Sequence, residues 1–146
     1  MKIAVISDTH DKLPEHCLDL LKKSHVDEIW HLGDVTKQNI VDDLMTLEKP
    51  LKGVRGNCDW DSSWPMTLSE QVDGLRFMLV HIPPANCPSH FDALLHGHTH
   101  VPRDEIINDV RFLNPGTVGK PNKGAPPSLA ILETKNGSFT WDLLLL

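Results

Sequence analysis

Seven side chains able to hold a metal ion fall in five short clusters. Asp8 and His10 lie in "SDTHD", Asp34 in "HLGD", Asn57 in "RGNCD", His81 in "LVHIPP", and His98 and His100 in "HGHTH". The set mixes carboxylate, imidazole and one amide oxygen, and it requires no thiolate. Such donors suit borderline to hard divalent cations. Mn²⁺ is the first expectation, with Ni²⁺, Fe²⁺, Zn²⁺ or Mg²⁺ as alternatives. Seven donors exceed one tetrahedral site and would serve two ions sharing a carboxylate. Asp8-X-His10 and His98-X-His100 are spaced to point to one side of an extended chain. Each piece alone is weak: a Gly-Asp pair is usually a turn, and a lone histidine at a strand end is more often structural. Five clusters together, each at the end of an expected strand, are hard to explain by chance.

The elements that must position them follow from the apolar pattern. "KIAVI" (2–6) reads as a buried strand and "PEHCLDLLKKS" (14–24) as a helix, with Pro14 in its first turn. "DEIWHLGD" reads as a second strand, "KQNIVDDLMTLE" as a second helix and "PLKGVRGN" as a third strand. This βαβαβ order predicts parallel strands with crossover helices. After residue 64 the rhythm turns to strands. Hairpins are expected at Asp73-Gly74, Asn108-Asp109 and Asn136-Gly137, with "DALLHGHTH" a strand between the first two. One domain over residues 1–146, with two packed sheets and helices outside, fits this order. In such sheets ligands bind beyond the carboxyl ends of strands, where all five clusters lie.

Composition narrows the function. The 146 residues carry a net charge of −6, so broad phosphate neutralisation by Lys and Arg is not expected, nor is a nucleic-acid polymer as partner. The longest apolar stretches are too short to cross a bilayer, and "MKIAVISDTHD" lacks the features of a signal peptide. Three cysteines with no CxxC pair suggest a reduced, cytoplasmic setting. The apolar tail "WDLLLL" suggests burial against the sheet or in a homo-oligomer.

"DTH", "GD", "GNCD", the histidine of "VHIPP" and "GHTH" together resemble the signature of the calcineurin-like metallophosphoesterases, most closely the small YfcE-like phosphodiesterase branch. "LNPGTVGKP" (113–121) is also similar to a segment of that group. The resemblance spans nearly the whole chain. It implies an α/β fold, a four-layer αββα sandwich of two mixed sheets flanked by helices. It also implies a dinuclear centre, with Asp8, His10, Asp34 and His100 on one ion and Asp34, Asn57, His81 and His98 on the other. The implied reaction is hydrolysis of a small phosphodiester by a metal-bridging hydroxide. The implied catalytic residues are Asp34, Asn57, Cys58 and Asp59. Many relatives place histidine where Cys58 stands, near the substrate and helped by the next acidic residue; a thiol is the weaker donor. Only residues 82 to 97 separate His81 from His98, a shorter connection than is common in the family. Alternatives are a phosphomonoesterase or nuclease at the same centre, metals that only stabilise the fold, or a catalytically weak scaffold, the role of a retromer subunit related to this family. Every ligand position is filled, which favours an enzyme.

Other residues carry bland readings beside sharp ones. His31 can support the site or simply pack, and His96 reads as structural. Trp60 and Trp64 can line a pocket and stack an aromatic group, or serve loop packing or a subunit contact. Asn114 and Gly116 are explained by turn chemistry. Arg55 and Lys120 are candidate phosphate contacts or solvated surface.

Overall fold

Alternate residues of the first strand serve two different cores. In a computed structural model describing residues 1–119 and 123–146, Ala4 and Ile6 pack on one side with helix residues Cys17, Leu21, Ile40 and Leu44. Ile3 and Val5 pack on the other with Phe77, Leu79, Leu95 and Leu113 of a second sheet. This two-residue period joins the layers.

The elements run β1 (Lys2–Ile6), α1 (Glu15–Lys23), β2 (Glu28–His31), α2 (Gln38–Met45), β3 (Leu51–Gly53), β4 (Thr67–Val72), β5 (Leu75–Val80), β6 (Ala93–Leu95), β7 (Arg103–Ile107), β8 (Val110–Asn114), β9 (Ser128–Lys135) and β10 (Ser138–Leu145). One sheet has the order β10-β9-β1-β2-β3 and the other β4-β5-β6-β8-β7. β1, β2 and β3 are parallel, as are β5, β6 and β8. The remaining strands pair antiparallel. Both sheets are therefore mixed, as expected. The hairpins turn where predicted: Asp73, Asn108, Asp109 and Asn136 take positive φ, as do Gly74 and Gly137.

The layers differ from expectation in one detail. Both helices among the described residues pack on the outer face of the first sheet. The outer face of the second carries Leu94, Val110 and Phe112, with Cys87 packed against them. Parallel strands β5 and β6 need a crossover, which usually holds a helix. Here the crossover is short and contains Pro83, Pro84 and Pro88, which interrupt helical hydrogen bonding, so a loop takes the place of the fourth layer. The tail forms edge strand β10, with Trp141 and Leu144 packed inward and Leu145 exposed. No described helix is long and apolar enough to cross a membrane. Lys120 lies outside the described residues.

Candidate metal centre

The carboxyl ends of β1, β2, β3, β5 and β6 deliver all seven candidate donors to one place. The connecting segments are tied by backbone bonds: Asp8 N–H donates to Gly33 O at 3.0 Å, His10 N–H to Asp34 O at 2.9 Å, and Gly97 N–H to His81 O at 3.0 Å. Two glycines permit the close approach. A Cβ on Gly56 would sit 2.2 Å from the Asp34 backbone nitrogen, and one on Gly97 would sit 2.0 Å from Ser7 Oγ.

Five of the seven donors are on left-handed rather than extended backbone. Asp8, His10, Asp34, His98 and His100 have φ of 53°, 48°, 56°, 69° and 61°. Left-handed backbone is uncommon outside glycine, although Asp and His tolerate it better than most residues. Each such residue stores on the order of 1 kcal/mol or more, and such strain gathers at functional sites. The paired motifs do converge, but through these turns rather than through strand alternation.

Asp8 and Asp34 are each held by backbone or hydroxyl donors at one oxygen and turn the other toward the imidazoles. Asp8 Oδ2 accepts from Ser7 Oγ at 2.6 Å and His98 N–H at 3.1 Å. Asp8 Oδ1 is buried with no hydrogen-bond partner; it lies 3.1 Å from His100 Nε2, 3.9 Å from His10 Nε2 and 4.0 Å from His81 Nε2. Asp34 Oδ1 accepts from Cys58 N–H at 2.8 Å. Its Oδ2 lies 3.3 Å from His81 Nε2 and 3.9 Å from His10 Nε2. Asn57 Oδ1 is 2.9 Å from His81 Nε2 and 3.0 Å from His98 Nδ1. His10 Nε2 and His100 Nε2 are 3.3 Å apart.

This convergence of lone pairs fits a divalent cation. His81 Nδ1–H donates to Leu32 O at 2.7 Å, which leaves Nε2 facing the cluster, the usual tautomer of a metal-bound histidine. Burial raises the Asp8 carboxyl pKa, partly countered by the Ser7 hydroxyl. Burial also raises that of Asp34, but its contacts with His81 and the Cys58 N–H outweigh this and bring it to about 2. Burial lowers the His81 pKa, and the Asp34 contact reverses this and leaves it raised. Where His81 is charged, a cation must displace a proton from Nε2. Mn²⁺ affinity should fall as pH drops through the raised His81 value, and binding in that range should release protons. Calorimetry in buffers of different ionisation enthalpy measures this; identical apparent enthalpies would contradict it.

Around the donors stands a second set, largely unsignalled in the sequence. His31 is fully buried and burial lowers its pKa to about 4. The neutral ring accepts from Gly33 N–H at Nδ1, so Nε2–H donates to Thr9 Oγ1. It thus links the two segments carrying Asp8, His10 and Asp34. Asn114 donates to Gly97 O and Thr99 Oγ1 and accepts from Gly116 N–H, so the turn residue also steadies the segment of His98 and His100. Thr117 Oγ1 donates to Asp8 O. His96 is buried, its pKa lowered by burial to about 4, within reach of Arg103 Nη1. Arg55 donates to the backbone oxygens of Asp59 and Trp60.

Asp59 faces the backbone. Its Oδ2 accepts from Asp34 N–H and Gly56 N–H, and its Oδ1 from Thr36 N–H. Cys58 Sγ lies with His10 and Asp34 donor atoms in one group spanning no more than 4.8 Å. Burial and then the Asp34 carboxylate raise its pKa, so the thiol stays protonated at neutral pH. Asn57 and His98 are exposed, and Cys58 is half-buried, so the cluster opens to solvent there.

Known proteins resemble this chain over most of its length. A family model described as the calcineurin-like phosphoesterase superfamily domain matches residues 1–137. The phosphodiesterase YfcE of Escherichia coli K12 is 30% identical, over 91% of this chain and 88% of its own. The phosphodiesterase MJ0936 of Methanocaldococcus jannaschii is 26% identical, over 95% and 96%. The solved structure of the E. coli phosphoesterase superposes with a TM-score of 0.80 at 28% identity, over 92% of this chain and 89% of that one. Vps29 of Chaetomium thermophilum, at 20% identity and a TM-score of 0.81, covers 100% and 95% and shares the fold.

Proposed function

Because this chain belongs to the calcineurin-like phosphoesterase superfamily, in its YfcE-like branch of phosphoric ester hydrolases, we propose that it hydrolyses a small phosphodiester at a dinuclear divalent-metal centre. The observation that carries this is the bare, buried Asp8 Oδ1, set among imidazole nitrogens within 3.1 to 4.0 Å. Asp8, His10, Asp34 and His100 would hold one ion. Asp34, Asn57, His81 and His98 would hold the other, with Asp34 common to both sets. When bound, two such ions activate a water and neutralise charge on the phosphoryl oxygens.

The chain's own residues do the rest. Ser7 and the His98 N–H orient the Asp8 carboxylate, and the Cys58 N–H orients Asp34. The Leu32 carbonyl fixes the His81 tautomer. Exposed Asn57 and His98 border the opening through which a phosphate ester enters. The test is to strip the protein with chelator and reload it with Mn²⁺, Ni²⁺, Zn²⁺ or Mg²⁺. A chromogenic diester is then compared with the matching monoester. Recovery of diester cleavage, exceeding monoester cleavage, is expected; no hydrolysis with any ion would overturn the reading.

Cys58 bears on the leaving group. Its neutral thiol stands beside His10 and Asp34 and is a weaker proton donor than imidazolium. General-acid assistance is worth ~10²–10⁴-fold. Cys58→His should therefore raise kcat roughly tenfold or more for diesters with poor leaving groups, and less for activated ones. An unchanged ratio between the two ester classes would count against a substrate-side role for this position.

A further inference from the structure

Beside the metal centre lies a pocket of about 340 Å³ that the chemistry above does not use. The segments carrying two of the proposed ligands continue directly into it. Asp34 leads to Val35, Thr36, Lys37 and Gln38, and Asn57 leads to Asp59 and then Trp60 to Trp64. Asp59 marks the boundary, since its carboxylate accepts from both Asp34 and Thr36. Lys37 pairs with Asp11, the neighbour of His10, at 3.6 Å. The pocket thus adjoins the proposed ligand loops on two sides.

Its lining is mixed in a specific way. Val35, Val41 and Trp64 supply apolar surface, and Trp64 is braced against His31 with ring centroids 5.5 Å apart. Gln38, Ser62 and Ser63 add hydrogen-bonding groups. Trp60, also on the lining, is 83% exposed. The indole face is therefore open to a planar partner, and aromatic rings stack well in offset or edge-to-face arrangements. Arg55 bonds to the backbone oxygens of Asp59 and Trp60, so this turn is braced while the ring stays free. A volume at the small end of ligand pockets admits one ring system with its sugar, not a polymer. Hydroxyl and amide groups disfavour a lipid chain and match the edge of a heteroaromatic base.

We infer that this pocket is a subsite for the nucleoside moiety of a phosphodiester, with its base stacked on Trp60. The inference rests on the proposed function for the position of the phosphorus, but not for the binding itself. Two diesters with the same leaving group separate the terms: thymidine 5′-(p-nitrophenyl phosphate) and methyl p-nitrophenyl phosphate. With the Mn²⁺-loaded protein, kcat/KM for the nucleoside ester should exceed that for the methyl ester by about tenfold, the scale of one stacked base. Trp60→Ala should bring the ratio toward one; its exposure makes folding insensitive to the change. Calorimetric titration of metal-free protein with adenosine 5′-monophosphate and with thymidine 5′-monophosphate should show saturable binding, weakened about tenfold by the same substitution. A ratio near one in the parent protein, or a ratio and affinity unmoved by Trp60→Ala, overturns the subsite. Trp60-dependent nucleotide binding without hydrolysis of either ester keeps the subsite and removes the phosphodiesterase reading.

Discussion

Asp34→Asn should lower metal-dependent diester hydrolysis by on the order of 10³-fold or more while leaving the fold intact. Lewis-acid stabilisation by metal ions is worth several kcal/mol, and about 1.4 kcal/mol is tenfold in rate. Asp34 is the residue common to both proposed ligand sets, and its Oδ2 faces His81 and His10, so its loss would weaken both ion sites together. The substituted amide still offers an oxygen to the Cys58 N–H, the bond that Oδ1 accepts in the parent. It also removes a negative charge that contributes to the raised pKa of Asp8. Metal-free Asp34→Asn should stay folded by circular dichroism but melt somewhat below the metal-free parent, because the contacts that hold the Asp34 pKa at about 2 are weakened, while Mn²⁺ raises its melting temperature less. Full metal-dependent activity in this variant would overturn the shared-carboxylate assignment.

Much of this site was legible because its signals are of two independent kinds. Apolar runs marked β1, β2, β5 and β6, and potential donors stood immediately after them. An α/β sheet brings such positions together whatever the loops do in detail. The loop conformations themselves were not legible. Asp and His can occupy strand, turn or left-handed backbone, and only the tertiary bonds, such as His10 N–H to Asp34 O, select φ near 50° for Asp8 and His10. The loop over the outer face of the second sheet has a related cause: the crossover's own residues, Pro83, Pro84 and Pro88, disfavour a helix there. His31 was ambiguous because a buried neutral imidazole in a strand looks the same whether or not its two nitrogens link ligand segments.

Asp59 is where resemblance and geometry point to different experiments. An acidic residue after the substrate-side position suggests a partner in proton transfer. In the structure both oxygens instead accept backbone N–H groups, those of Asp34 and Gly56 at 2.8 and 2.7 Å and that of Thr36 at 2.8 Å, and the residue is 4% exposed. We propose that Asp59 acts as a positioning residue, clamping the loop of Asp34 to the loop of Asn57. Hydrogen bonds to a charged group are worth about 1.5–3 kcal/mol each, and stranded buried donors add to the loss. Asp59→Ala should therefore cost about 4 kcal/mol of stability or more and weaken Mn²⁺ binding roughly 10–100-fold, as losses of supporting partners around metal ligands do. Asp59→Asn should fall between, since its carbonyl replaces one acceptor oxygen but its NH₂ meets a third donor. Under saturating Mn²⁺ the kcat of Asp59→Asn should stay within a few-fold of the parent, because the proton chemistry has not been touched. A kcat collapse of about 10²-fold at saturating metal, with melting temperature and metal affinity unchanged, would instead place Asp59 in proton transfer through Cys58. The two readings separate cleanly, because clamping acts on stability and ion affinity and proton transfer acts on turnover.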